Sequence, residues 1–182
     1  MGSPGPATIS LAAAGSSFGV RRSLGYLAGV AAGTAVVLVA VATGITATVL
    51  AVPAMRPVLL VVSAAYILWL AWRIATAPRL GDRTATATVP SVVGGTVLGV
   101  ANPKAWVAIA AAFASARLAD TATTDAAAKL AVLVVVMVLI LVAWLVAGAA
   151  FASALRDPDR VRVVNLVLAV ALVVATALAV LP

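Results

Sequence analysis

The chain has 182 residues, 65% of them hydrophobic and 9% charged, and a mean hydropathy of +1.23. A soluble domain carries about 25% charged residues, so this is an integral membrane protein, and its net charge of +7 serves orientation and anionic lipid headgroups rather than nucleic acid. With no cysteine and no histidine it lacks thiol nucleophiles, disulfides, Ser-His-Asp triads and the usual transition-metal ligands, and no cofactor is expected.

In chain order the sequence predicts six spans. Residues 7–18 are apolar and helical, but only about half a membrane long at ~1.5 Å per residue. They follow directly on Pro4, Gly5 and Pro6. Residues 19–23 form a basic turn with Arg21 and Arg22, and 24–52 form a span long enough to cross with tilt. A tight connection at 53–57, bounded by prolines, leads into the third span, 58–77. The longest polar loop, 78–90, holds Arg79, Asp82 and Arg83. The fourth span, 91–116, is broken at Asn102 and Pro103, and a polar loop at 117–127 with Asp120 and Asp125 follows it. The fifth span is 128–155, a charged turn occupies 156–162, and the sixth span is 163–181.

Basic residues set the orientation. The connections after spans one, three and five hold Arg21, Arg22, Arg73, Arg79, Arg83, Arg156, Arg160 and Arg162; those after spans two and four hold only Arg56, Arg117 and Lys129. The first set is expected in the cytoplasm and both termini outside. Three spans on either side of the 78–90 loop have opposite topologies, and each trio opens with a proline-broken helix. The expected architecture is therefore all-α: an inverted repeat of residues 1–77 and 91–182, joined by a cytoplasmic loop at 78–90. The half-length first helix lacks its outer portion, and the start has neither a signal peptide nor a myristoylation pattern. The expectation is that the first helix is truncated and that the native chain begins upstream.

Proline removes a backbone donor and ends or kinks a helix, and freed backbone groups survive at membrane depth only inside protein or beside a water-filled cavity. Asn102 is a favoured N-cap, Pro103 suits the first helical position and Lys104 the second. The following helix is expected to point free N–H groups and a positive dipole end at mid-membrane, and Gly5 and Pro6 to do the same for the first helix. Two such termini make a carboxylate site. Lys104 adds a full charge, about thirteen residues into its span, too deep for simple snorkelling.

All five aspartates fall in predicted loops, so no buried carboxylate is expected for a cationic side chain or a proton relay. A substrate ammonium would rely on carbonyls near 98–101 and on the hydroxyls of Thr8, Ser10 or Tyr66. Gly25, Gly29 and Gly33 lie on one helix face, which suits an internal packing seam, the alternative being a homodimer face. Trp69 and Trp72, beside Arg73, suit an interfacial belt.

Pro4, Gly5 and Pro6, then Gly15, Gly19, Arg21, Arg22, Gly25, Gly29 and Gly33 resemble the opening signature of the lysine-exporter (LysE/RhtB-type) amino-acid translocators. Residues 64–73 resemble their third-span motif, with Ser63 where glycine is common, and Gly99 to Lys104 resemble the second-half motif. The resemblance implies six spans, proton-motive-force-driven efflux of amino acids or related metabolites, and site residues Pro4, Gly5, Pro6, Asn102, Pro103 and Lys104. The expected protein is an exporter of a small zwitterion in a bacterial inner membrane, not an enzyme, with a non-transporting scaffold built on the glycine face as the alternative.

Overall fold

The computed structural model describes residues 2, 4–44, 55–75, 89–115, 117–154, 163–164 and 166–174. These form helices α1 (Pro6–Phe18), α2 (Val20–Ala42), α3 (Met55–Ala75), α4 (Val92–Ala101), α5 (Pro103–Ala114) and α6 (Ala122–Ala154), and residues 166–174 are also helical. No strand occurs among the described residues. α2 and α6 are each long and apolar enough to cross a membrane, and α4 with α5 forms a third candidate span, bent by 56° at the break. The charged turn 156–162, nearly all of the 78–90 loop and the end of the predicted second span lie outside the described residues.

α1 is short yet central. Leu11, Ala13 and Ala14 are fully buried and Ile9 and Phe18 nearly so, as befits a helix apolar all round. The basic turn expected at 19–23 shrinks to Gly19. Its positive φ of 79° reverses the chain, so Arg21 and Arg22 already lie in the first turn of α2. The Ser23 hydroxyl, donating to Ala14 O at 3.1 Å, closes this hairpin. α2 ends about ten residues before the predicted limit. Gly44 takes a φ of 74°, with its N–H on Val41 O, a glycine stop of the kind common just past helix ends. At the next connection Pro57 lies within the first turn of α3, where a missing N–H costs nothing.

Two seams organise the bundle. α1 packs along α6, and α2 packs along α4. In the second seam Gly29 meets Val92 and Thr96, while Gly33 meets Thr96 and Gly99. The contacts advance in step, so α2 and α4 run parallel. Gly95 and Gly99 answer from α4, each against α2 backbone. In the first seam Gly15 lies against Leu145 and Ala149, and Gly148 lies against Ala12. The face at Gly29 and Gly33 is thus covered within the chain.

The polar stretch before α6 corrects one sequence expectation. Thr121 caps the helix, its Oγ1 accepting from Thr124 N at 3.2 Å, so α6 starts at Ala122 and Asp125 lies in its first turn rather than in a loop. The Asp125 side chain is 13% exposed, and its Oδ2 pairs with Lys129 Nζ at 2.8 Å. Lys129 also donates to Phe113 O at 2.9 Å, and Asp125 accepts from Leu118 N. One partly buried ion pair therefore ties the α5–α6 connection to α6.

Candidate binding site

The break between α4 and α5 is built by its own side chains. Asn102 caps α5: its Oδ1 accepts from Lys104 N at 3.2 Å and its carbonyl accepts from Ala105 N at 3.0 Å. The free N–H groups expected at this terminus are thus largely taken by Asn102 itself. An anion there would depend on the dipole and the Lys104 side chain rather than on naked amides. On the other side of the break, the indole of Trp106 donates to Val100 O at 2.7 Å. It satisfies a carbonyl that Pro103 and the bend expose, and it removes one of the carbonyls expected to receive an ammonium.

α1 supplies the second terminus. Gly5 is the N-cap and Pro6 the first helical residue. Thr8 Oγ1 accepts from Gly5 N at 2.9 Å and donates to Gly5 O at 3.1 Å. Pro6 has no N–H, and the amides of Ala7 and Thr8 have no carbonyl within α1 to bond.

Lys104 joins the two termini. Its Nζ donates to Pro4 O, and its stem lies so close to Gly5 that a Cβ there would sit 2.8 Å from Lys104 Cδ. Gly5 has an extended φ of −169°, which any residue can adopt. A larger residue here would have to displace the Lys104 side chain.

A cavity of about 60 Å³ opens beside this junction. Gly5, Ala7 and Thr8 line it from α1, Thr34 from α2, Asn102, Lys104, Ala105 and Ala108 from the break and α5, and Met137, Ile140 and Leu141 from α6. At ~10–15 Å³ per water-sized group, it is on the scale of a small amino acid. Thr34 Oγ1 donates to Val30 O at 2.8 Å, and its oxygen can still accept.

Of the residues expected in the site, Gly5, Thr8, Asn102 and Lys104 converge on the cavity, and Pro4 joins through its carbonyl. Pro6 and Pro103 begin the two helices without lining it. Ser10 and Tyr66 lie elsewhere. Ser10, fully buried, donates to Ala7 O at 2.8 Å and accepts from Tyr26 OH at 3.0 Å, bracing α1 against α2. Tyr66 packs over Gly94, with its ring centroid 5.5 Å from that of Trp69. Trp69 and Trp72 are 41% and 62% exposed on the outside of α3. Gly25, the loosest of the three α2 glycines, would bring a Cβ only to 3.3 Å from a Val92 methyl.

Sequence reasoning missed Thr34, Trp106 and the three α6 residues. Thr34 directly follows the glycine face, and Trp106 stands two residues after Lys104; both positions carried a signal. Met137, Ile140 and Leu141 sit in an unbroken apolar run, and nothing local separates them from lipid-facing neighbours.

A family model described as LysE type translocator matches residues 1–181. The Cysteine/O-acetylserine efflux protein of Salmonella paratyphi A is 42% identical over 81 residues, covering 44% of this chain and 41% of that one. The protein of the same name from Salmonella choleraesuis is 45% identical over 76 residues, covering 41% and 38%. The chain thus spans about two-fifths of the length of the curated relatives it matches. No solved structure matches the chain.

Proposed function

The chain belongs to the LysE type translocator family, a family of membrane transporters and not of enzymes, and we propose that it exports small neutral amino acids or related zwitterions across a bacterial inner membrane, driven by the proton motive force. The observation that carries this reading is Lys104, held between two half-helix starts at the edge of a cavity of amino-acid size. Its ammonium now donates to a neutral carbonyl, Pro4 O. A substrate carboxylate offers a charge-assisted bond roughly twice as strong, with the positive ends of α1 and α5 behind it. The substrate ammonium would find the Thr34 oxygen and the carbonyls left at the end of α4. Among the described residues lining the cavity there is no acid, so a second cationic group, as in lysine or arginine, would find no partner among them. The relatives' names point the same way, since cysteine and O-acetylserine are both neutral zwitterions.

The two seams support six spans in two inverted halves, residues 1–77 and 91–182, around a cytoplasmic loop at 78–90. The first span of each half packs on the second span of the other, and α4 runs with α2 rather than with α1. Helix N-termini that meet at the midplane from opposite sides are what such a repeat produces. In the cysteine-free chain, single cysteines at Thr84 and Thr123 are expected to react with impermeant maleimide from opposite faces of the membrane. Labelling of both from one face would rule the layout out.

Reconstituted proteoliposomes loaded with radiolabelled alanine, serine, cysteine, leucine, lysine or arginine test the transport itself. Neutral amino acids should leave faster than the dibasic pair at equal loading, and efflux should rise with an imposed proton gradient. A preference for lysine or arginine would mean that the acid-free cavity is not the binding site.

A further inference from the structure

We infer that one face of α6, formed by Met137, Ile140 and Leu141, is the side-chain subsite of this transporter and sets the size of substrate it accepts. The inference rests on the carboxylate reading of Lys104 and goes beyond it, because that reading concerns only the part of the substrate common to all amino acids.

The chemistry of the cavity is divided by element. Its polar side chains come from α1, α2 and the start of α5: Thr8, Thr34, Asn102 and Lys104. All three residues contributed by α6 are apolar. Positions 137, 140 and 141 are related as i, i+3 and i+4 and so share one helix face. The same side of α6 reaches α1 farther along, where Gly148 lies against Ala12. Around 137–141 α6 stands beside the beginning of α1, and its side chains face the cavity instead of helix. Met137 and Leu141 are each 5% exposed and Ile140 is half-buried, whereas Val135 and Leu139 on the opposite side are 58% and 63% exposed.

A zwitterion whose carboxylate is at Lys104 and whose ammonium is at Thr34 would find its apolar surroundings at this wall. The wall offers no hydrogen-bond partner beyond a thioether. It therefore accepts methyl, thiol or short aliphatic groups and strands a charged or strongly polar one. Met137 is the adjustable element, since an unbranched thioether can repack around substrates of slightly different shape. Ala108 lines the same cavity from α5 and is small, so enlarging it would narrow the space left for a side chain. The two together act as a gauge for side-chain volume.

The experiment measures the ratio of leucine to alanine efflux from proteoliposomes of the full chain, each substrate at equal loading. One methylene in an apolar pocket is worth roughly ten-fold or more in discrimination. Met137→Ala should raise the leucine-to-alanine ratio about ten-fold, and Ala108→Leu should lower it by a similar factor. Lys104→Ala serves as the reference: it should depress both substrates together and leave the ratio alone. An unchanged ratio in a monodisperse Met137→Ala protein that still transports would overturn the α6 subsite while leaving the Lys104 reading in place. If neither substrate leaves from the wild-type protein, both readings fall. Should Met137→Ala fail to fold, Leu141→Val and Ile140→Val, which remove one methylene each, should move the ratio in the same direction by about ten-fold. No movement in either refutes the inference.

Discussion

Lys104→Ala is expected to lower amino-acid efflux between about ten- and a hundredfold, with accumulation in the membrane and labelling topology unchanged. The magnitude follows from the loss of one charge-assisted hydrogen bond, worth about 1.5–3 kcal/mol, in a site where Lys104 is the one cation among the described lining residues. The same side chain bridges to Pro4 O, so its removal also loosens the start of α1, although Thr8 still caps that turn through Gly5. Lys104→Arg is expected to recover little of the loss. A planar guanidinium with fixed donor geometry does not place one N–H where the compact lysine ammonium reaches Pro4 O. Initial efflux rates from proteoliposomes of equal protein content measure the effect. Wild-type rates from Lys104→Ala would reduce this lysine to a strut between two helices.

The second large effect concerns the glycine seams. Gly29→Ala and Gly148→Ala should each lower the thermal midpoint of the detergent-solubilised protein by roughly 5–10 °C, with Gly25→Ala within about 2 °C of wild type. A Cβ on Gly29 would lie 2.9 Å from the Val92 carbonyl carbon, and one on Gly148 would lie 2.6 Å from that of Ala12, with the oxygens closer still. These neighbours are backbone and cannot rotate away, so the helices must separate. Overpacking of this kind costs about 1–3 kcal/mol, occasionally more, and each kcal/mol shifts the midpoint of a chain this size by roughly 2–4 °C. Lipid supplies no hydrophobic force to pull the helices back together, so close backbone contact is itself the source of association. At Gly25 the nearest atom is a Val92 methyl at 3.3 Å, which can give, and alanine is the better helix former by about 1 kcal/mol. Fluorescence-detected size exclusion after heating distinguishes the three variants. Equal midpoints for all of them would mean that the seams are looser than described.

Composition alone settled that this is a membrane protein, and local chemistry settled where its helices break. Proline cannot sit in a helix interior without losing a hydrogen bond, so the starts of α1 and α5 were readable at Pro6 and Pro103, and the capping role of Asn102 came with them. Glycine spacing pointed to a packed face on α2 for the same kind of local reason. Helix ends were less secure. Gly19 and Gly44 stop or reverse the chain through positive φ, which apolar periodicity does not register, and the Thr121 cap made helix of a stretch that polarity alone assigns to a loop.

What lies across the cavity depended on long-range packing. That α4 lies on α2, that Lys104 reaches a carbonyl about a hundred residues away, and that Met137 faces inward while Leu139 faces lipid are consequences of how whole helices dock. An unbroken run of valine, leucine and isoleucine is equally content against lipid and against protein, because both are apolar. In such a run the inward face is chosen by the shape of the neighbouring helix and not by hydrophobicity. Asp125 and Lys129 likewise read as loop charges, whereas Phe113 O and Leu118 N, brought alongside by the fold, make them a tie between α6 and the connection before it.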